Sequence, residues 1–118
     1  MAEATPRLRI SREKDVHVVE FVQNRILDEL NISEIGLELT NLLAGRDRPR
    51  LLLDFSAVDH LSSAALGMLI NVNNKVREQN GQLRLAQIKP PILEVFQITK
   101  LNRLFRICAT RAEAMASF

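Results

Sequence analysis

Asp54, Ser56, Asp59, His60, Ser62 and Ser63 form a short polar cluster between two apolar runs, and they are the side chains best suited to chemistry. Serine, histidine and aspartate are the residue types of a hydrolase triad. Here they crowd into one turn, where neighbours rarely converge on a reacting atom, and no glycine-flanked nucleophile elbow surrounds either Ser62 or Ser63. There is no GxxxxGK loop to cradle a nucleotide phosphate, and the carboxylates do not gather as a metal site or a general-acid pair would require. The pattern is that of a protein that is not an enzyme and needs no cofactor. A serine ahead of an apolar helix has another use. Its hydroxyl can accept from the free N–H groups of the first turn, and a phosphate placed there would meet the same groups and the positive end of the helix dipole. Such a serine is either a plain helix cap or a residue poised for a charge switch.

The flanking runs indicate how the cluster is held. Leu51, Leu52 and Leu53 are too continuous for a sheet with one wet face, so they predict a central strand covered on both sides, with Asp54 at its exit. Ala64, Ala65, Leu66, Met68, Leu69 and Ile70 then open a helix whose N-cap is Ser62 or Ser63 and which should reach about Gln79. Ala65, Met68, Leu69, Val72 and Val76 fall on its buried stripe, and Asn80-Gly81 ends it.

The rest of the chain supplies a frame for this unit. Leu8 and Ile10 alternate with arginines, which predicts an edge strand with one buried face, and Val16 to Val22 should pair with it as a hairpin. His17, between valines, is expected to be structural. Asn31 and Glu34 have capping-box spacing, so a first helix should begin there and carry Ile32, Ile35, Leu39, Leu42 and Leu43 as far as Gly45. Arg46, Arg48 and Arg50 invite a phosphate-binding reading, but without stacking aromatics they read better as a solvated link. Gln82 to Ile88 is a further strand. Pro90-Pro91 opens a third helix with Ile92, Val95 and Phe96 as its apolar face, and Leu104 to Cys108 is a short last strand. Thr110 and Glu113 cap a terminal helix over Arg111 to Ser117. That order predicts one α/β domain over residues 1–118 with about four helices.

Composition narrows the function classes. A formal charge of +2, from 16 basic against 14 acidic residues, is too small to demand a nucleic-acid partner. Cys108 is the one cysteine, which excludes an intramolecular disulfide, fits a reducing compartment and suggests a buried, inert thiol. No apolar run has membrane-spanning length, and MAEATPRLRI lacks the apolar stretch of a secretory leader, so a cytoplasmic location without membrane insertion is expected.

The segment Asp54-Phe55-Ser56, Val58, Leu61-Ser62-Ser63-Ala64-Ala65-Leu66-Gly67 resembles the signature of STAS domains, in particular the bacterial anti-sigma factor antagonists. The likeness extends over nearly the whole chain and implies the mixed β-sheet of that fold. It also implies a function by partner switching. The unphosphorylated protein would bind an anti-sigma factor with serine kinase activity and so free a sigma factor. Phosphorylation would reverse this, and a serine phosphatase would be a further partner. The resemblance places the modified residue at Ser63, with Ser62 as second candidate, and the docking face at Val58, His60, Leu61, Ser62, Ser63 and Met68. Ser62 stands where the family usually has aspartate, and Ala65 where it usually has glycine. STAS subunits of lipid-transport or stressosome-like complexes share the same resemblance, and there the same surface would dock without a sigma factor.

Overall fold

The leucine run lies at the middle of a five-stranded sheet. The computed structural model describes residues 7–118, so most of the MAEATPRLRI segment lies outside the described residues. In chain order the elements are β1 (Leu8–Glu13), β2 (Val16–Phe21), β3 (Arg25–Ile26), α1 (Glu29–Leu43), β4 (Arg50–Asp54), β5 (His60–Leu61), α2 (Ser63–Glu78), β6 (Gln82–Ala86), α3 (Pro90–Ile98), β7 (Arg106–Cys108) and α4 (Arg111–Ala116). The sheet order is β1-β2-β4-β6-β7. Only the β1–β2 hairpin is antiparallel; β2, β4, β6 and β7 run parallel, as helical crossovers require.

Leu51, Leu52 and Leu53 are fully buried, and the period of two in a strand sends them to opposite faces. Leu51 and Leu53 join the larger core beneath α1, α2 and α3. Leu52 packs with Val16, Val18, Ala86 and Ala114 beneath α4. A strand with apolar neighbours on both sides is what a run of leucines requires.

Several expectations are corrected. In β1 only Leu8 is buried; Ile10 is 45% exposed, because it sits opposite Val19 on an edge strand where the helical layer stops short. Asp28, not Asn31, caps α1: its carboxylate accepts from Asn31 N–H at 3.0 Å, so the helix begins at Glu29, ahead of Asn31. Asn31 instead uses its side chain to link Arg7 and Gln23, and Glu34 pairs with Arg7. Gly45 follows the last turn of α1 with φ +72°, as a residue just past a helix end should. β6 stops at Ala86, since Gln87 takes φ 61°. In α3, Ile92 and Phe96 are buried, whereas Val95 is exposed. The last strand begins only at Arg106, because Leu101–Arg103 forms a 3-10 turn that carries Phe105 edge-on to Phe96, with ring centroids 5.8 Å apart. Cys108 is half-buried.

Candidate functional site

The β4–α2 junction is built outward from Asp54. This carboxylate is 1% exposed; Oδ1 accepts from Ser56 N–H at 2.8 Å, and Oδ2 lies 3.5 Å from Arg111 Nη1. The chain then makes a tight turn in which Val58 N–H donates to Phe55 O at 2.9 Å. This turn drives Val58 fully into the core, so Val58 leaves the expected docking face.

Beyond the turn, β5 pairs in parallel with β3, Arg25 opposite His60 and Ile26 opposite Leu61. Asp59 and His60 N–H groups both donate to Asn24 O, at 2.7 and 3.1 Å, and Ser62 N–H donates to Ile26 O at 3.1 Å. The loop before the serines is therefore fixed by backbone bonds at both ends. Sequence reasoning missed this support, since a two-residue ladder has no periodicity to read. It also missed Lys89, just ahead of Pro90 in α3, which pairs with Asp59. The hydrogen bond from Lys89 is the main reason the Asp59 carboxyl is held below its ordinary range. Asp59 thus pairs with Lys89 and Asp54 with Arg111, and among the described residues no hydrogen bond joins His60 to Ser62 or Ser63.

Ser62 and Ser63 have different duties. Ser62 is the N-cap of α2: its backbone is extended, and its hydroxyl oxygen accepts from Ala65 N–H at 3.2 Å. Ser63 is the first helical residue and is exposed. An acceptor already committed to the helix and half-buried is poorly placed for attack on an external group, whereas the exposed hydroxyl beside it is open to one. His60 is exposed too, and Leu61 is half-buried.

Met68 is only 8% exposed: it fills the seam between α1 and α2, where a Cβ added to Gly36 would come within 3.0 Å of Met68 Cγ. It forms the floor of a groove of about 940 Å³ that runs between the two helices, with Ile32 and Val72 beside it. Ala64 and Gly67 line its α2 wall next to Ser63. Glu29 and Leu37 line the α1 wall, and Leu37 is 61% exposed. Leu30, two turns earlier on α1, is 67% exposed. The candidate site is therefore a free serine hydroxyl beside an open apolar groove. Among the described residues, no three His, Cys, Asp or Glu side chains are placed to share a metal ion.

A family model described as STAS domain matches residues 2–114. The chain is 30% identical over 93 residues to the "Putative anti-sigma factor antagonist BtrV" of Bordetella bronchiseptica, an alignment spanning 79% of each. Among solved structures, an anti-sigma-factor antagonist (STAS) domain protein from Planctomyces limnophilus superposes with a TM-score of 0.85 at 24% identity, covering 97% of this chain and 98% of that one. The phosphorylated form of the Bacillus cell fate determinant SpoIIAA superposes with a TM-score of 0.68 at 16% identity, covering 93% and 97%. At these identities the two structures speak for the fold.

Proposed function

Because the chain belongs to the STAS domain family, we propose that it is an anti-sigma factor antagonist: a binding module, not an enzyme, that works by partner switching. In its unphosphorylated form it captures an anti-sigma factor with serine kinase activity and so frees a sigma factor. Phosphorylation at Ser63 releases that partner, and a serine phosphatase resets the switch. The reading places the protein in the cytoplasm with these partners; no helix among the described residues is long and apolar enough to cross a membrane. The name carried by the Bordetella relative supports this reading.

The observation that carries the proposal is the position of Ser63, exposed at the first turn of α2 and beside the groove between α1 and α2. Exposed leucines flanking an apolar groove are more usual at interfaces than on a surface meant to stay wet. The docking face is assigned to His60, Leu61, Ser62 and Ser63 together with that groove. A phosphate on Ser63 adds about 1.5 to 2 negative charges, which the first-turn N–H groups of α2 accept without loss of the fold. Covering that charge with an apolar or acidic partner is costly, on the order of 3 kcal/mol, or more than a hundredfold in affinity.

The test is incubation with ATP and the cognate anti-sigma kinase, followed by mapping of the phosphate. One phosphate on Ser63 is expected, and Ser63→Ala should abolish it while preserving tight binding. Ser63→Asp, with about one negative charge and no tetrahedral oxygens, should bind more weakly than wild type but better than the phosphoprotein. Phosphate on Ser62 would move the site by one residue and leave the switch intact. If neither serine is modified and Ser63→Asp binds normally, the protein is a constitutive docking subunit, as in a lipid-transport or stressosome-like assembly.

A further inference from the structure

At the end of the sheet away from Ser63 lies a second cleft, of about 410 Å³, that partner switching does not use. Arginines line it from three segments: Arg12 from β1, Arg48 and Arg46 from the link after α1, the latter with its Nε donating to Leu42 O, and Arg50 from the start of β4. His17 of β2 completes the wall. In the sequence Arg12 and His17 are more than twenty-five residues from the other three; the β1–β2 hairpin sets Arg12 opposite His17, and the pairing of β2 with β4 sets His17 opposite Leu51, next to Arg50.

The charges in this cleft are poorly compensated. Arg12 approaches the exposed Asp15 only to 3.8 Å. Arg46, Arg48 and Arg50 have no carboxylate within ion-pair distance among the described residues, although Asp47 lies on the rim. The field reaches His17, whose pKa is held below its ordinary value first by burial and then by Arg46 and Arg12.

The link is also held in place. Gln79 Nε2 donates to Leu43 O at 2.7 Å and to Arg46 O, and Arg48 N–H donates to Gln79 O at 2.9 Å. Arg48 takes φ 53°, a left-handed backbone that a non-glycine residue adopts at a cost. Four cations held close together on a fixed backbone are set up to meet a multivalent anion.

We propose that this cleft binds a small anion with two linked phosphate groups, as in pyrophosphate or the phosphate chain of a nucleotide. Guanidinium groups match phosphate oxygens in bidentate pairs, and one phosphate cannot engage four of them from three segments. Two linked phosphates offer more oxygens and about three negative charges. No aromatic ring lines the cleft to stack a base, so recognition falls on the phosphate chain. The strand from Arg50 to Asp54 separates the cleft from the serine end by about 13 Å at the usual rise per residue, so a ligand here leaves the Ser63 face open.

The experiment is a titration of the full chain with pyrophosphate and, separately, ADP, followed by amide chemical shifts and calorimetry. Shifts confined to Arg12, His17 and residues 46–50 are expected, with a dissociation constant of about 10 to 100 μM in moderate salt. Binding should raise the His17 pKa, a readout that a structural role for the arginines would not move. The double variant Arg48→Gln, Arg50→Gln should bind at least ~10-fold more weakly with an unchanged melting temperature, while Arg103→Gln, outside the cleft, should match wild type. Equal affinity for the two probes identifies the phosphate chain as the whole recognised unit, and tighter ADP adds the nucleoside. Absence of shifts at about 5 mM pyrophosphate, shifts centred elsewhere, or undiminished binding by the double variant overturns the proposal. None of these outcomes depends on the anti-sigma partner.

Discussion

Asp54 Oδ2 lies 3.5 Å from Nη1 of Arg111, tying the last residue of the central strand to the first residue of the terminal helix. The same carboxylate holds the Ser56 turn through its other oxygen, so one buried charge anchors both α4 and the approach to the serines. Arg111→Met would leave this carboxylate with the Ser56 N–H and a long contact to Gln87 Nε2 at 3.5 Å. The expected loss is about 1 to 3 kcal/mol, below the range for a fully buried pair because the Arg111 side chain is partly exposed to water. A urea midpoint equal to that of wild type would show that the pair does not hold the helix.

Gly81 is required by a close backbone approach. A Cβ placed on it would fall 2.3 Å from Pro49 O, and that same oxygen accepts Gln82 N–H at 2.8 Å. The carbonyl cannot retreat without loosening the entry to β4 and β6 together. Gly81→Ala should therefore destabilise by ~1 to 3 kcal/mol, read as a lower melting temperature, with Ser63 phosphorylation preserved in the folded fraction.

The central strand was legible in the sequence because Leu51, Leu52 and Leu53 need apolar neighbours on both faces, and that need dictates position. A serine cap on α2 was legible for a similarly local reason, with the choice between Ser62 and Ser63 left to the structure, which gives it to Ser62. What could not be read were pairings set by distant parts of the chain, such as Arg25 with His60 or Lys89 with Asp59, which have no spacing rule. Val58 looked like a surface residue among polar neighbours, but its turn points it inward. Helical spacing had already placed Met68 on the buried stripe; the family resemblance drew it onto the docking face, and the structure puts it on the floor of the groove. Asn31 and Glu34 have the spacing of a capping box three residues beyond Asp28, the residue that caps α1, and spacing alone favours the later pair.

His17 sets a pH dependence whose sign follows from its lowered pKa. Above the ordinary value of 6.5 the side chain is neutral in both states and contributes nothing to the slope. As pH falls below 6.5, the unfolded chain takes up the proton first, so stability declines until the lower folded-state value is passed. His17→Gln should flatten this part of the stability curve and leave neutral pH nearly unchanged. Identical slopes for the two proteins between pH 6.5 and 5 would remove His17 from the acid response.

Gly67 separates folding from binding. It lies within α2 on the groove wall, and a Cβ built there meets no atom within 4 Å. Glycine inside a helix costs roughly 0.5 to 1 kcal/mol relative to better helix formers, so Gly67→Ala and Gly67→Gln should both raise stability by up to that amount. Their effects on the partner should diverge. Alanine adds one methyl group to an open groove, whereas glutamine projects a polar chain into the space that an apolar partner segment must occupy. Gly67→Gln is expected to bind the anti-sigma factor at least ~10-fold more weakly while melting no lower than wild type, which excludes unfolding as the cause. Ser63 should remain a phosphate acceptor when the kinase is supplied in excess, since the hydroxyl and its helix end are untouched. If Gly67→Gln instead binds as tightly as wild type while Ser63→Asp does not, the partner covers the end of α2 and the groove between the helices plays no part in docking.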